Sequence, residues 1–375
     1  MKERDFTMDP FEIQIEACRG RQQRLLKYMH DSDIPVAVVT QTEHVQWLSG
    51  PRFRDALFSA ALLTADGHLT LFAPGKAPPI AAADEIVVFE AKSLSTMRND
   101  QAEKCSEAML PVIQATGAAS RIGCEFPTFP HHLSETLSTE LVDIEPALYR
   151  FRRRKDPDEL ARIQKAINAT GKMYEKAREM IAPGVNELDV FNELQSIAVR
   201  ELGEPLTGTG NDYACAARGG PPRDRQAQAG ELYILDLGPA FRGYFADNAR
   251  TLAVGGNPTE EQIRAWKQCT KIFPLVENSV RPGKSCRELF EEAKAILDEC
   301  LPWKFNHHLG HGIGLSPHEG PHPNPNWDEH FEAGDVFAIE PGLYAEELQA
   351  GIRVENDYQV TADGVRLLSD FPLEM

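Results

Sequence analysis

The sequence predicts an α+β protein of two domains, a smaller α/β unit over residues 1–150 and a larger unit over residues 151–375 in which helix pairs cover strand-rich segments. Three observations lead there. A length of 375 residues suits two domains better than one. Strand-like and helix-like segments alternate through the smaller unit. In the larger unit, a pair of similar helix-turn-helix segments, each followed by a strand-rich stretch, reads as a diverged repeat.

In the first unit, residues 11–31 have helical spacing and PVAVVT (35–40) is a short buried strand. Residues 60–71 form a hairpin around Ala65-Asp66-Gly67, and 85–89 add a further strand. Helices are expected over 96–115 and 131–141, separated by the strand 121–125. The basic run Arg152-Arg153-Arg154-Lys155 marks the boundary and reads as a solvated linker. Asp156-Pro157-Asp158-Glu159 then starts a helix: Asp caps, Pro fits the first turn, and Glu sits three residues after the cap. Leu160, Ile163, Ile167, Tyr174, Ala177 and Ile181 recur at helical spacing. Pro183-Gly184 ends this helix and a second starts near Asn186. Thr259 caps a third, Pro282-Gly283 follows it, and Ser285 with Glu288 forms a capping box for a fourth. APGVNELDVFNELQ and RPGKSCRELFEEAK align with Pro183 on Pro282, Gly184 on Gly283, Phe191 on Phe290 and Glu193 on Glu292.

The chemistry lies in the strand-rich stretches. Asp236 (ILDLG), Asp247 (YFADNART), His311 (LGHGIG), Glu340 (AIEPG) and Glu355 (IRVEN) follow one another, each on or beside an apolar segment. Singly, each has an ordinary structural reading, such as a turn residue after a strand. Together, four carboxylates and one imidazole suit two divalent cations, whose roughly four positive charges offset carboxylate repulsion. Oxygen donors with a single nitrogen and no thiolate suit manganese, cobalt, zinc or iron and do not choose among them; manganese is taken as the working expectation. A metal pair of this kind activates water and stabilises an oxyanion.

These segments resemble the creatinase and Xaa-Pro peptidase family, which includes prolidase, aminopeptidase P, methionine aminopeptidase and creatinase. The resemblance rests on ILDLGPAFRGYFADNART, HHLGHGIGLSPHEGP, FEAGDVFAIEPGLY and GIRVEN, with a weaker likeness of VVTQTEHVQWLSG to the opening strand of the family's N-terminal domain and the loop after it, through Gly50. It implies a pita-bread catalytic domain preceded by a creatinase-like α/β domain. It further implies that Asp247 and Glu355 bridge two metals, that Asp236 completes one shell, and that His311 and Glu340 complete the other. Glu340 would also carry the nucleophile's proton. His318 would contact substrate and steady the oxyanion, and His307 would lie near the substrate. Tyr344 and Arg353 match positions beside the glutamates and join the expected substrate-binding set. His322 and His330 read as ordinary polar residues. The implied activity is hydrolysis of Xaa-Pro peptides, as a dipeptidase or an aminopeptidase, and the implied assembly is a homodimer.

One segment departs from the family pattern. A histidine usually stands upstream of the first aspartate, whereas TGTGNDYACAARGGPPRDRQ places Gly219 there. This opens a second reading, a non-peptide C–N hydrolase acting on a small-molecule amide. A third is a binding protein that has kept the fold without the chemistry. Arg218 and Arg223 lie close by, either to bind an anionic substrate end or as solvated loop charges. The formal charge of −18 argues against nucleic acid or an anionic membrane as partner. Seven scattered cysteines suggest reduced thiols and a cytoplasmic setting. The start, MKERDFTMDP, has no apolar core of a secretory signal.

Overall fold

A computed structural model describes residues 11–375 except 55, 118, 119 and 211. The reading of the first ten residues as lacking a signal lies outside the described residues. The chain divides into two compact units at Arg152/Arg153.

The first unit is built on a six-stranded mixed sheet. Its spatial order is Glu85–Phe89, Leu69–Pro74, Ala60–Thr64, Val36–Val39, Arg121–Cys124 and Glu140–Asp143. The four residues Val36–Val39 are all buried, which explains their uninterrupted apolar run. Three expectations need correction. The segment after this strand is a helix, Thr42–Ser49, whose residues His44–Ser49 are all buried. The helix expected over 96–115 begins at Gln101, after a two-residue strand Thr96–Met97. The helix expected over 131–141 stops at Thr136, and Glu140–Asp143 pairs in parallel with Arg121–Cys124 as the sheet's edge. In both of the last two, strand pairing overrides local helical pattern.

The second unit has two layers. Helices Pro157–Met180 and Glu187–Leu202 pack with the strand pair Leu232–Leu237 and Asn248–Ala253 around Tyr174, Val190, Leu194, Tyr233 and Leu235. Helices Glu260–Thr270, Ile272–Ser279 and Cys286–Leu297 pack with the sheet Gly310–Gly312, Val336–Ile339, Asn356–Val360 and Val365–Leu367 around Cys269, Leu289, Phe337 and Tyr358. The repeat seen in the sequence has a structural counterpart. Gly184 and Gly283 both turn at φ +93°. Each donates its N–H to a strand-side carbonyl, Ala227 at 2.7 Å and Phe331 at 2.8 Å. Asn186 bridges Gln226 and Ser285 bridges His330 at matching positions.

The caps explain where these helices begin. The Glu159 carboxylate accepts the Asp156 N–H at 2.9 Å, and Thr259 and Gln262 cap each other reciprocally. Asn186 accepts from Leu188 N–H at 2.9 Å. Ser285 caps through Glu288 N–H at 3.2 Å, but the Glu288 carboxylate turns to Lys284, so this box is only half formed.

The basic run is not a solvated linker. Arg152, Arg153 and Lys155 are buried and only Arg154 is exposed. Arg153 makes a two-pronged pair with Asp335 at 3.0 and 2.7 Å, and Lys155 pairs with Glu319 with both side chains almost fully enclosed. The partners lie far along the chain, so a run of like charges looked solvated in sequence. Removing one member of such a pair strands the other charge. Glu319→Ala should therefore cost about 3–5 kcal/mol of unfolding free energy, read by urea denaturation. Replacing Lys155 and Glu319 together by Met and Leu should recover most of that loss.

Candidate metal centre

Strand pairing brings the five sequence-predicted ligands together. Asp236 pairs with Ala249 on the neighbouring antiparallel strand, and Asp247 immediately precedes that strand. Tyr233, Leu235 and Leu237 enter the helix-covered core, so the alternation of a strand turns Asp236 the other way. His311 pairs with Ala338, one strand over from where Glu340 follows Ile339. Ile339 pairs with Asn356, which sets Glu340 and Glu355 side by side at one sheet end. The Glu355 N–H donates to Ala249 O at 2.9 Å, and Asn248 Nδ2 donates to Glu355 O at 2.7 Å. These two bonds join both strand systems at the ligands. Gly310 and Gly312 flank His311 because a side chain at either would overlap the carbonyl of Ala338 or Gly320.

The resulting cavity has a volume of about 230 Å³ and is lined by all five ligands together with His307, His308, His318 and Arg353. Donor atoms gather in overlapping groups within 4.8 Å: Asp236, Asp247 and Glu355; His308, His311 and Glu340; Asp247, His311 and His318. His311 Nε2 stands 3.3 Å from Asp247 Oδ2 and 3.4 Å from Glu340 Oε1. Its Nδ1 lies 3.1 Å from the Gly312 carbonyl, an acceptor, which assigns the proton to Nδ1 and leaves the Nε2 lone pair facing the carboxylates. Glu355 Oε2 is buried with no hydrogen-bond partner among the described residues. An orphaned carboxylate oxygen and an inward imidazole lone pair are what a divalent cation requires, so this donor set fits one.

The electrostatics point the same way. Burial, reinforced by neighbouring carboxylates, pushes Asp247 and Glu355 well above the usual carboxylate range. Burial raises Glu340 to about 8, with Arg353 pulling against it and Asp236 adding to it. Burial lowers His311 well below its ordinary value, and lowers His318 to about 4 and His307 to about 3. All three imidazoles are thus neutral at pH 7.

Arg353 organises the surrounding charges. Its Nη2 donates to Asp236 at 2.8 Å and to Asp212, while its Nε lies 3.2 Å from Glu355 Oε1. Its backbone is tied to Thr251 in both directions, at 2.8 and 3.0 Å. His318 stacks on His311 with ring centroids 3.5 Å apart. His307 has both ring nitrogens engaged, Nδ1 with His308 O at 2.7 Å and Nε2 with Tyr344 Oη at 3.0 Å. Arg223 does not face the cavity; it pairs with buried Glu187 at 2.6 Å.

Two cavity residues, His308 and Asp212, had no role assigned to them from sequence. His308 Nδ1 lies 3.2 Å from Glu340 Oε1. The HH dipeptide was visible, but nothing in it says which ring points inward. Asp212 pairs with Arg353 and accepts the Gly220 N–H at 2.6 Å. It also explains the glycine: a side chain at Gly219 would overlap the Asp212 carboxylate. No local signal in GNDY announces that partnership.

With this geometry in hand, comparison with known proteins identifies the class. The model of metallopeptidase family M24 matches residues 161–362, and that of the creatinase/prolidase N-terminal domain matches residues 21–153. The chain belongs to metallopeptidase family M24. A Xaa-Pro dipeptidase from Pyrococcus horikoshii is 25% identical over 96% of this chain and 100% of its own length. An uncharacterized peptidase from Staphylococcus epidermidis is 31% identical over 61% of this chain, and the match spans 66% of that relative. The solved Xaa-Pro dipeptidase from Bacillus anthracis superposes with a TM-score of 0.82 at 21% identity, covering 96% of this chain and 99% of that one. The fold is a creatinase-like N-terminal domain followed by a pita-bread domain. No helix among the described residues is long and apolar enough to cross a membrane, and all seven cysteines are buried free thiols.

A carboxylate whose pKa is raised by folding stabilises the folded state below its ordinary pKa, and this contribution fades as pH rises through the folded value. For Glu340 that window runs from 4.5 to about 8. Chelator-treated protein should therefore lose thermal stability between about pH 5 and 8. Divalent cation should restore it, with a larger rise in Tm at pH 8 than at pH 5. Scanning calorimetry at both pH values checks this; a Tm indifferent to metal at pH 8 would contradict the donor-set assignment.

Proposed function

We propose that this protein is a dinuclear metal-dependent peptidase that hydrolyses the amide bond preceding proline in short peptides. The carrying observation is the convergence of Asp236, Asp247, His311, Glu340 and Glu355 on one cavity beside His318. The proline preference draws support from the Xaa-Pro dipeptidase that aligns over nearly the whole chain. Asp236, Asp247 and Glu355 would hold one divalent cation, and Asp247, Glu355, His311 and Glu340 the other. Manganese is the working cation for reconstitution, since it accepts oxygen donors with one imidazole nitrogen.

When bound, the cations supply an acidified water and positive charge for the developing oxyanion. The remaining work falls to the chain. Glu340 takes the proton of the attacking water and delivers it to the leaving nitrogen. His318 is neutral near pH 7, its pKa lowered by burial to about 4, and donates an N–H to the substrate's oxyanion. Its stacking on His311 fixes the ring. His307, locked between His308 O and Tyr344 Oη, shapes the wall against which the substrate rests. Arg353 holds Asp236 and Glu355 in place through its guanidinium. Proline's ring fixes φ and removes the amide N–H, so a compact cavity suits it.

The test is hydrolysis by manganese-loaded protein of paired peptides with and without proline after the scissile bond. Cleavage confined to the proline set is expected. No cleavage by protein shown to hold two metals per chain would overturn the reading. Glu340→Gln should lower kcat by about 10²–10⁴-fold. His318→Ala should lower it by about 10²–10³-fold, with metal content by mass spectrometry unchanged in the His318 variant.

A further inference from the structure

The cavity holds several acidic groups inside a protein of net charge −18, yet a peptide brings its own carboxylate. A cation has to receive it. Among the residues lining the cavity, the permanently cationic side chains are Arg218 and Arg353. Arg353 is already committed to Asp236, Asp212 and Glu355. Arg218 is different. It is exposed, and its guanidinium makes no hydrogen bond or ion pair with any described residue.

It is nevertheless held in place. Its Cζ lies 4.1 Å from the centre of the Tyr344 ring, a cation–π contact. Tyr344 is itself anchored by Oη to His307 Nε2 at 3.0 Å, which ties Arg218 to the wall of the metal centre. The Arg218 carbonyl accepts from Arg353 Nη1 at 3.2 Å, and two residues further along the chain the Gly220 N–H is bonded to Asp212. Backbone and side chain are thus both positioned, while the N–H fork stays uncommitted. A guanidinium matches a carboxylate in a two-pronged, planar arrangement.

We infer that Arg218 receives the free C-terminal carboxylate of the substrate and thereby makes the protein selective for dipeptides; this rests on the peptidase reading above. In a dipeptide that carboxylate sits on the residue just after the scissile bond. In a longer peptide the same position is an uncharged amide. Space alone does not impose the choice. A second cavity of about 780 Å³, lined by Phe305 and Trp327, shares His307, His308, His311 and His318 with the first and leaves room for a longer chain. The selection lies in charge.

The test compares Ala-Pro with Ala-Pro amide as substrates, and L-proline with L-prolinamide as calorimetric ligands, on manganese-loaded wild type, Arg218→Gln and Arg218→Lys. Wild type is expected to favour the acid over the amide at least tenfold in both kcat/KM and binding. Arg218→Gln should bring both ratios close to one through loss on the acid side. Arg218→Lys should keep part of the preference, since a point charge replaces the fork. Equal losses on acid and amide in Arg218→Gln, or no preference in wild type, would overturn the assignment. If wild type cleaves neither peptide, the peptidase reading fails, and the proline titrations still decide the role of Arg218. Unchanged melting temperatures exclude misfolding as the cause.

Discussion

Five carboxylates, those of Asp212, Asp236, Asp247, Glu340 and Glu355, crowd one small cavity, and this repulsion is the constraint on which the rest of the second unit depends. No packing of apolar side chains would gather them, because each loses hydration on burial and repels the others. Two things offset that cost within the chain. Strand pairing fixes where the acids emerge, through the Asp236–Ala249 and Ile339–Asn356 registers. Arg353 supplies one permanent positive charge in contact with Asp236, Asp212 and Glu355. One guanidinium is too little for all of them, which is why the raised proton affinities and the orphaned Glu355 oxygen persist.

The two-layer helix-and-strand scaffold serves that centre. Each helix pair has its own apolar core, and each core grips strands that carry ligands at the opposite face or at their ends. The repeated Pro-Gly turns are more than a sequence echo, since both glycines adopt the same positive φ and both bond to the strand side. The two halves contribute different ligands, aspartates from one and the histidine with two glutamates from the other. They meet where Glu355 N–H reaches Ala249 O.

Much of this was legible in the sequence, for physical reasons. Helix starts at Asp156, Asn186 and Thr259 depend on local hydrogen bonds, so local sequence reveals them. The metal-type acids stood out because charged residues interrupt apolar runs that otherwise need none. What stayed hidden depends on partners distant along the chain. The burial of Arg153 and Lys155 is meaningful only with Asp335 and Glu319 in view. The helix Thr42–Ser49 has little helical periodicity because most of its residues are buried. The strand Glu140–Asp143 forms because an edge position beside Arg121–Cys124 is open to it. Asp212 and the inward ring of His308 have no sequence signature; their role exists only in three dimensions.

The contact between Gly219 and Asp212 has an evolutionary consequence. A carboxylate at 212 reaching Arg353 and a side chain at 219 compete for one volume. Neither position can therefore drift alone: enlarging 219 displaces the acid from Arg353, while shrinking 212 leaves a gap in the charge network. The two sites are coupled: the side chain allowed at 219 depends on where the 212 carboxylate lies, so substitutions at either position are expected to be non-additive.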